Sequence, residues 1–278
     1  MKKTGCLTLL LLCLASEVFA HSRPGILKFG IFPFKSPRAT LAIFAPVAHE
    51  LEKKLGMKVQ IVTAADAPTY LQKGASGDYD LAMPCVACLP VFLPAGYEVI
   101  ARGTPDFYGG VIVRQESGIT NLSQFKGRKI AAVAAHSYGG YLFFREQLAE
   151  QGLAPGKDFD VHFLGKPDTI IYGVANRQYD GGVIRVETLG TPSFAGVRDS
   201  LRLVSRSVPI PQFPFVVKKT LPAETAQLIR QVLTSLSASR DDEKAVLDSL
   251  QIKEIIPARD EDYTAILALI AKTGELVY

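Results

Sequence analysis

ILKFGIF, residues Ile26–Phe32, has the length and the apolar content of a buried β-strand. It is followed by an amphipathic segment of helical spacing at about Thr40–Leu55 and by a second apolar run, Val59–Val62. A short helix at Tyr70–Lys73 and a strand at Leu81–Met83 continue the alternation. This order of strands and helices predicts an α/β unit whose mostly parallel sheet is covered by helices.

A second unit of the same kind follows further along the chain. Its predicted strands are Val111–Val113, Lys129–Val133, Val161–Leu164 and Gly182–Val186. Its predicted helices are Asn121–Lys126, Tyr141–Gln151 and Thr169–Asn176. After Pro209, Pro211 and Pro214 the first pattern resumes with a strand at Phe215–Val217. The predicted tail helices are Ala223–Leu236, Glu243–Leu250 and Asp262–Lys272.

The second unit therefore interrupts the first, which predicts two lobes. Lobe 1 comprises residues 21–113 and 207–278, and lobe 2 comprises residues 114–206. The chain is expected to cross between them near Val113–Arg114 and near Ser205–Val208. Two crossings form a hinge, and the cleft beside a hinge can close on a ligand. Small molecules commonly bind α/β sheets at the carboxyl ends of the strands, which this cleft would collect.

The first twenty residues have the pattern of an export signal. Lys2 and Lys3 precede the apolar run Leu7–Leu14, and the segment ends at Val18-Phe19-Ala20. The run is shorter than the ~20 residues that span a bilayer. These features predict a signal peptide cleaved after Ala20, and hence a periplasmic protein.

The composition excludes several functional classes. The 278 residues carry a formal net charge of only +4, which does not indicate a nucleic-acid surface. No phosphate-binding loop, dinucleotide fingerprint or zinc-protease motif is present, so we expect neither a cofactor nor an enzyme. The four histidines do not have metal-ligand spacing. They are His21, His49, His136 and His162.

Several motifs, in order, resemble the phosphate/phosphite/phosphonate-type periplasmic binding proteins of ABC importers. They are Gly30-Ile31-Phe32-Pro33, Ala45-Pro46-Val47-Ala48, Gly77-Asp78-Tyr79-Asp80-Leu81-Ala82, Phe107-Tyr108-Gly109-Gly110, Leu122-Ser123-Gln124-Phe125-Lys126-Gly127 and Tyr179-Asp180-Gly181-Gly182. The resemblance covers nearly all of the sequence after residue 20. It implies the two-lobed periplasmic binding protein fold of type II, a small oxyanion as ligand, an ABC permease as partner and a monomer.

Three departures from the family pattern fall where the ligand would lie. The family's Ser-x-Ser-Gly turn is here Ser137-Tyr138-Gly139-Gly140, which keeps one serine. The loop that often carries a histidine reads Gly165-Lys166-Pro167-Asp168, and the segment after Leu81 includes Met83-Pro84-Cys85. A phosphonate ligand therefore does not follow from the resemblance alone.

The turn Ser137, Tyr138, Gly139 and Gly140 is the best candidate for an anion site. A glycine-rich turn that opens a helix directs unpaired N–H groups and the positive end of the helix dipole at a ligand. Ser137 is equally suited to be only the N-cap of that helix.

Cys85 and Cys88 allow three interpretations. In an oxidising compartment they favour a small disulfide loop. With Met83 they would suit a soft metal such as Cu(I), or arsenite. A Cys-x-x-Cys pair is also typical of redox sites.

Further candidates lie on loops that would face the cleft. Arg185 and Glu187 follow a buried strand, where Arg185 would bind an oxyanion or the pair would form a salt bridge beside the hinge. Pro33, Phe34, Ser36 and Arg38 follow the first strand and would form either part of the lobe 1 wall or an ordinary loop between strand and helix. Tyr108 would be either wall or hinge packing. Asp168 would either cap the following helix, which is the favoured role, or contact a ligand.

The sequence thus predicts a protein that captures a small oxyanion and presents it to an ABC importer. The alternative is a sensor that signals arsenite, a sulfur oxyanion or a soft metal to a histidine kinase through Cys85 and Cys88. A thiol/disulfide redox protein is a third alternative. Neighbouring genes for a permease or for a kinase would distinguish the first two.

Overall fold

The computed structural model describes residues 25–272, so the predicted signal peptide and its cleavage after Ala20 lie outside the described residues. The strands are β1 Leu27–Ile31, β2 Val59–Val62, β3 Leu81–Met83, β4 Tyr97–Thr104, β5 Gly109–Arg114, β6 Lys129–Ala132, β7 Asp160–Phe163, β8 Gly181–Arg185, β9 Leu201–Arg206, β10 Pro214–Lys218 and β11 Glu254–Pro257. The helices are α1 Pro37–Leu55, α2 Ala67–Ala75, α3 Leu89–Phe92, α4 Phe143–Ala149, α5 Pro167–Ala175, α6 Ala223–Thr234, α7 Asp241–Leu250 and α8 Thr264–Lys272.

Two sheets divide these strands between two lobes, which confirms the two-lobed α/β architecture. The lobe 1 sheet has the order β11-β4-β10-β3-β1-β2, and the lobe 2 sheet has the order β7-β6-β8-β5-β9. Each sheet contains three neighbouring parallel strands, β2-β1-β3 in lobe 1 and β7-β6-β8 in lobe 2. The remaining strands join through antiparallel pairs, so both sheets are mixed and not mostly parallel as predicted.

The first crossing between the lobes lies earlier than the sequence predicted. Strand β5 pairs with β8 and β9, so Val111–Val113 belongs to the lobe 2 sheet and the crossing lies at residues 105–108, not at Val113–Arg114. The second crossing lies at residues 207–213, after β9 and before β10. Phe107 and Ile210 form a bridge between the two crossings, with N–H···O distances of 3.0 and 2.8 Å. The hinge is therefore a pair of hydrogen-bonded segments.

Three strands were missed in the sequence, namely β4, β9 and β11. Strands β9 and β11 lie at the edges of their sheets, and polar side chains interrupt their apolar runs. Such strands are defined by their pairing partners more than by their own composition.

The core of each lobe lies between its sheet and the helices. Successive strand residues point to opposite faces, so Leu81 and Met83 pack on one face of the lobe 1 sheet and Ala82 packs on the other. Within residues 25–272, no helix combines the length and apolarity that crossing a bilayer requires.

Candidate ligand-binding site

A cavity of about 610 Å³ lies between the lobes, beside the hinge. Lobe 1 contributes the loop after β1, the turn after β3 and the end of α7, whereas lobe 2 contributes the loop after β6, the start of α5 and the end of β8. Phe107 and Ile210 of the two crossings complete the wall. These segments meet because the carboxyl ends of parallel strands in both sheets face the same cleft.

The turn Ser137–Gly140 lies in this wall, as the sequence suggested. Ser137 is also an N-cap, and its Oγ accepts a hydrogen bond from the Gly140 N–H at 3.1 Å. The helix begins at Tyr138 with a turn of π-helix up to Leu142, and not at Tyr141 as predicted. The glycines therefore lie inside the first turn of the helix. The cap and the cavity wall are the same residues, so the two interpretations of Ser137 do not compete.

Glycine is required at position 140 by close packing. A Cβ atom there would lie 2.7 Å from the Ser137 Oγ and 2.7 Å from the Val133 Cβ. The Val133 N–H also donates to the Gly140 carbonyl at 3.2 Å, which ties the turn to the end of β6. The turn is thus held by one side-chain cap and by a tight fit to its own strand.

Cys85 and Cys88 are joined as a disulfide in the turn after β3. Cys85 is the N-cap of a short 3₁₀ turn, Val86–Cys88, that leads directly into α3. Cys85, Val86 and Ala87 line the cavity, whereas Cys88 is fully buried in the lobe core. Lobe 1 therefore presents a helix start to the cavity, held by a covalent bond.

The soft-metal site predicted from Met83, Cys85 and Cys88 is not formed. Met83 points to one face of the lobe 1 sheet and packs with the core cluster there, whereas Cys88, in the turn after β3, packs with the cluster on the other face. The two sulfurs are also bonded to each other. Within residues 25–272 no group of three or more His, Cys, Asp and Glu side chains is placed to hold a metal ion.

Arg185 lines the cavity but also connects the two lobes. From the end of β8 its guanidinium donates to the Leu250 carbonyl at 3.4 Å, the Gln251 carbonyl at 3.0 Å and the Gln212 side chain at 3.3 Å. Leu250 and Gln251 lie at the carboxyl end of α7, where the helix dipole favours a cation. Burial lowers the Arg185 pKa to about 10, against the opposing effect of Glu187. The guanidinium thus joins lobe 2 to lobe 1.

Glu187 and Tyr108 lie outside the cavity wall, beside the hinge. The Glu187 carboxylate lies 3.5 Å from the Arg185 Nε. The pair thus forms the salt bridge beside the hinge, which was one of the two roles considered from the sequence. The carboxylate also accepts bonds from the Tyr108 N–H at 3.2 and 3.3 Å. The Arg206 guanidinium lies 3.3 Å from the centre of the Tyr108 ring, so Tyr108 is a hinge packing residue.

Ser36 lies away from the cavity and Asp168 lies at it. Ser36 lies outside the cavity wall, and its Oγ accepts from the Ala39 N–H at 3.4 Å as the N-cap of α1. Asp168 does line the cavity, but α5 begins one residue earlier, at Pro167, with Lys166 as N-cap. Asp168 is therefore in the first turn of α5 and does not cap it.

Sequence reasoning missed most of the apolar wall. Phe34, which the sequence analysis gave as a candidate for the lobe 1 wall, does line the cavity, but Phe32 and Phe213 of lobe 1 and Phe107 of the hinge were missed. Their separation along the chain gave no local signal that they would meet.

His136 was also missed as a wall residue. Its ring lies edge-on to Phe32 across the cleft, with 6.2 Å between ring centroids. Burial lowers the His136 pKa, which favours the neutral ring.

Among residues 25–272, four helical segments begin at this cavity. They start at Ala67 (α2), Val86 (the turn before α3), Tyr138 (the turn before α4) and Pro167 (α5). The first N–H groups of a helix lack partners within the helix, and its dipole is positive at that end. Asp66 caps α2 through a hydrogen bond from the Thr69 N–H, and Asp168 lies in the first turn of α5. The starts at Val86 and Tyr138 carry no such carboxylate and are suited to hold an anion with backbone N–H groups.

Comparisons with known proteins agree with this geometry. A family model described as "ABC transporter, phosphonate, periplasmic substrate-binding protein" matches residues 29–263. The phosphonates-binding periplasmic protein of Escherichia coli is 25% identical over 249 residues, which cover 85% of this chain and 73% of that protein. The structure of PhnD1 from Prochlorococcus marinus in complex with methylphosphonate matches with a TM-score of 0.75 and 19% identity, over 90% of this chain and 98% of that chain, and shows the shared fold.

A third relative belongs to another functional class. The tetrathionate sensor histidine kinase TtrS of Salmonella typhimurium is 30% identical over 105 residues, 36% of this chain. The match spans only 18% of the length of that kinase. By contrast, the family model covers both lobes and both hinge crossings. The chain belongs to the family of periplasmic phosphonate-binding proteins of ABC transporters.

Proposed function

We propose that this protein captures an oxyanion between its lobes and presents it to an ABC permease in the periplasm. The observation that carries the proposal is the cavity at which helices of both lobes begin, in a chain that the family model matches across both lobes. The Ser137–Gly140 turn of lobe 2 and the helix start at Val86 of lobe 1 would hold the oxyanion with N–H groups.

Because both lobes contribute contacts to the site, ligand binding would close the cleft. A ligand held by both lobes stabilises the state in which the lobes are closed, because only that state supplies both sets of contacts. The permease would recognise the closed state. We further propose that the exported chain, cleaved after Ala20, acts as a monomer and catalyses no reaction.

The proposal is tested by thermal unfolding and titration calorimetry with methylphosphonate, phosphite, phosphate and sulfate. A ligand at 100 times its dissociation constant adds about 2.7 kcal/mol to the free energy of unfolding. We expect at least one phosphorus oxyanion to bind, and reductant not to change which one. If none of these anions changes the unfolding temperature or gives a binding heat, the proposal is wrong.

The match to the tetrathionate sensor favours a second candidate, the sensing of a sulfur oxyanion. The bonded Cys85–Cys88 pair offers no thiolate, so such a ligand would also be held by backbone N–H groups. Tetrathionate belongs in the same titrations, with sulfate as the matched control. Binding of tetrathionate with no response to phosphorus oxyanions would favour sensing over import.

A further inference from the structure

The wall of the cavity is mostly apolar. Besides the helix starts, it presents the rings of Phe32, Phe34, Phe107 and Phe213 together with Ile210. Phe34 and Phe213 lie 6.0 Å apart between ring centroids, with their planes at 34°. Both are only partly buried, so their rings have a face toward the cleft.

The charged groups in the wall are few. The Arg185 guanidinium is already bonded to Gln212 and to the end of α7, and it lies 4.6 Å from the centre of the Phe107 ring. Lys35 is exposed and lies 5.8 Å from the centre of the Phe34 ring. The Asp168 carboxylate also lies in the wall, as do the polar side chains of Thr188, Ser249 and Gln251. Most of the remaining wall surface is aromatic and aliphatic carbon.

The cavity is much larger than an inorganic oxyanion. Such an ion has five heavy atoms, and at the roughly 30 Å³ that a water molecule occupies in the liquid it fills on the order of 150 Å³ at most. The cavity holds about 610 Å³. A small ion would leave the phenylalanine rings in contact with water, whereas a hydrocarbon group would displace that water favourably.

We propose that the ligand is an organic oxyanion whose substituent is a hydrocarbon group about as large as a benzene ring. The oxyanion lies at the helix starts, and the substituent packs against Phe213, Phe34 and Phe107. This inference rests on the proposed function, because it assumes that the helix starts hold the oxyanion. It makes Phe213 a residue that determines specificity, because Phe213 enters the wall from the hinge side of lobe 1.

Titration calorimetry with a matched ligand pair tests the inference. Phenylphosphonate and methylphosphonate share a head group and differ in the size of the hydrocarbon group. We expect phenylphosphonate to bind on the order of 30-fold more tightly, from burial of roughly 80 Å² of additional apolar surface. Equal binding of both would overturn this inference and leave the proposed function standing, whereas binding of neither would overturn both.

Variants of Phe213 test whether the hydrocarbon group of the ligand packs against this ring. Phe213→Ala is expected to lower phenylphosphonate affinity on the order of tenfold, and to lower it more than methylphosphonate affinity. Phe213→Leu, which keeps an apolar side chain, should restore part of the difference and guards against a folding defect. Phe163→Ala removes a 46% exposed ring of lobe 2 outside the cavity wall and should leave both affinities unchanged. An equal loss for both ligands in Phe213→Ala would contradict the proposed position of the substituent.

Discussion

The two turns that face each other across the cleft are built alike but held differently. Each follows a buried parallel strand and opens a helix at the cavity, Val86–Ala87 after β3 and Ser137–Gly140 after β6. The lobe 1 turn is closed by the Cys85–Cys88 disulfide. The lobe 2 turn is closed by the Ser137 cap and by the fit of Gly140 against Val133.

This difference shows two ways to keep backbone N–H groups fixed in direction. A covalent loop restricts the backbone through the bond itself and is sensitive to reductant. A capped glycine turn depends on the space around it, so it is sensitive to any side-chain atom added there. The two turns should therefore respond to different perturbations, and the following predictions separate them.

The largest effect is expected from Gly140→Ala. Its Cβ would lie 2.7 Å from both the Ser137 Oγ and the Val133 Cβ, so it disrupts the cap and its contact with β6 together. We expect the free energy of unfolding, measured with urea, to fall by about 2 to 3 kcal/mol, and ligand affinity to fall with it. Gly196→Ala is the control, because nothing lies within 4 Å of its added Cβ. A similar decrease in unfolding free energy in both variants would show that the close packing around position 140 does not exclude a Cβ atom.

An intermediate effect is expected from replacing both Cys85 and Cys88 by alanine. A disulfide that closes so short a loop contributes about 2 kcal/mol through the entropy of the unfolded chain. Urea unfolding should show this loss, and reductant should destabilise the wild type but not the double variant. A reductant effect of equal size on both proteins would mean that it acts elsewhere.

Ser137→Ala is expected to cost about 1 kcal/mol of stability through loss of the N-cap, and to weaken oxyanion binding more than this loss explains. Ser36→Ala is its matched control, because Ser36 caps α1 outside the cavity wall. Both variants should lose similar stability in urea, but only Ser137→Ala should lose affinity in titration calorimetry. Equal affinity in the two variants would show that Ser137 is a cap alone.

The smallest expected effect is a pH dependence of the unfolding free energy that comes from His136 in the lobe 2 wall. Burial lowers the pKa of His136 below its ordinary value of 6.5, so the unfolded chain binds this proton more readily than the folded protein. The contribution of His136 to stability is therefore complete above pH 6.5 and declines as the pH falls below it. As the pH falls below 6.5, the unfolding free energy of the wild type should therefore fall relative to that of His136→Asn. A difference independent of pH would contradict this assignment.

Elements with local signals could be predicted closely. Strands β2 and β3 have the predicted bounds, and α1 ends at Leu55 before Gly56, which adopts the left-handed conformation that favours glycine. The start of the helix after β6 was placed three residues late. A turn of π-helix accommodates Gly139 and Gly140, whereas sequence patterns suggest that glycines precede a helix.

The candidate site could be predicted only in part. The Ser137–Gly140 turn and Cys85 were found because strand, turn and helix start are consecutive in the chain. Glu187, Tyr108 and Ser36 were also placed near strand ends, but they bond to the hinge or to their own helix. A position near a strand end does not state the direction of a side chain, so the sequence could not decide between a wall role and the roles that these three residues have in the structure.

The sequence by itself determined the α/β class, the two-lobed arrangement and the two turns, because periodicity, capping residues and glycines act over a few neighbouring positions. Only the tertiary structure decided that Phe107, Phe213 and the end of α7 share one cavity, and that Arg185 joins the lobes. Those contacts join residues far apart in the chain, such as Arg185 and Gln251. They form only when both sheets and the hinge bring the lobes together.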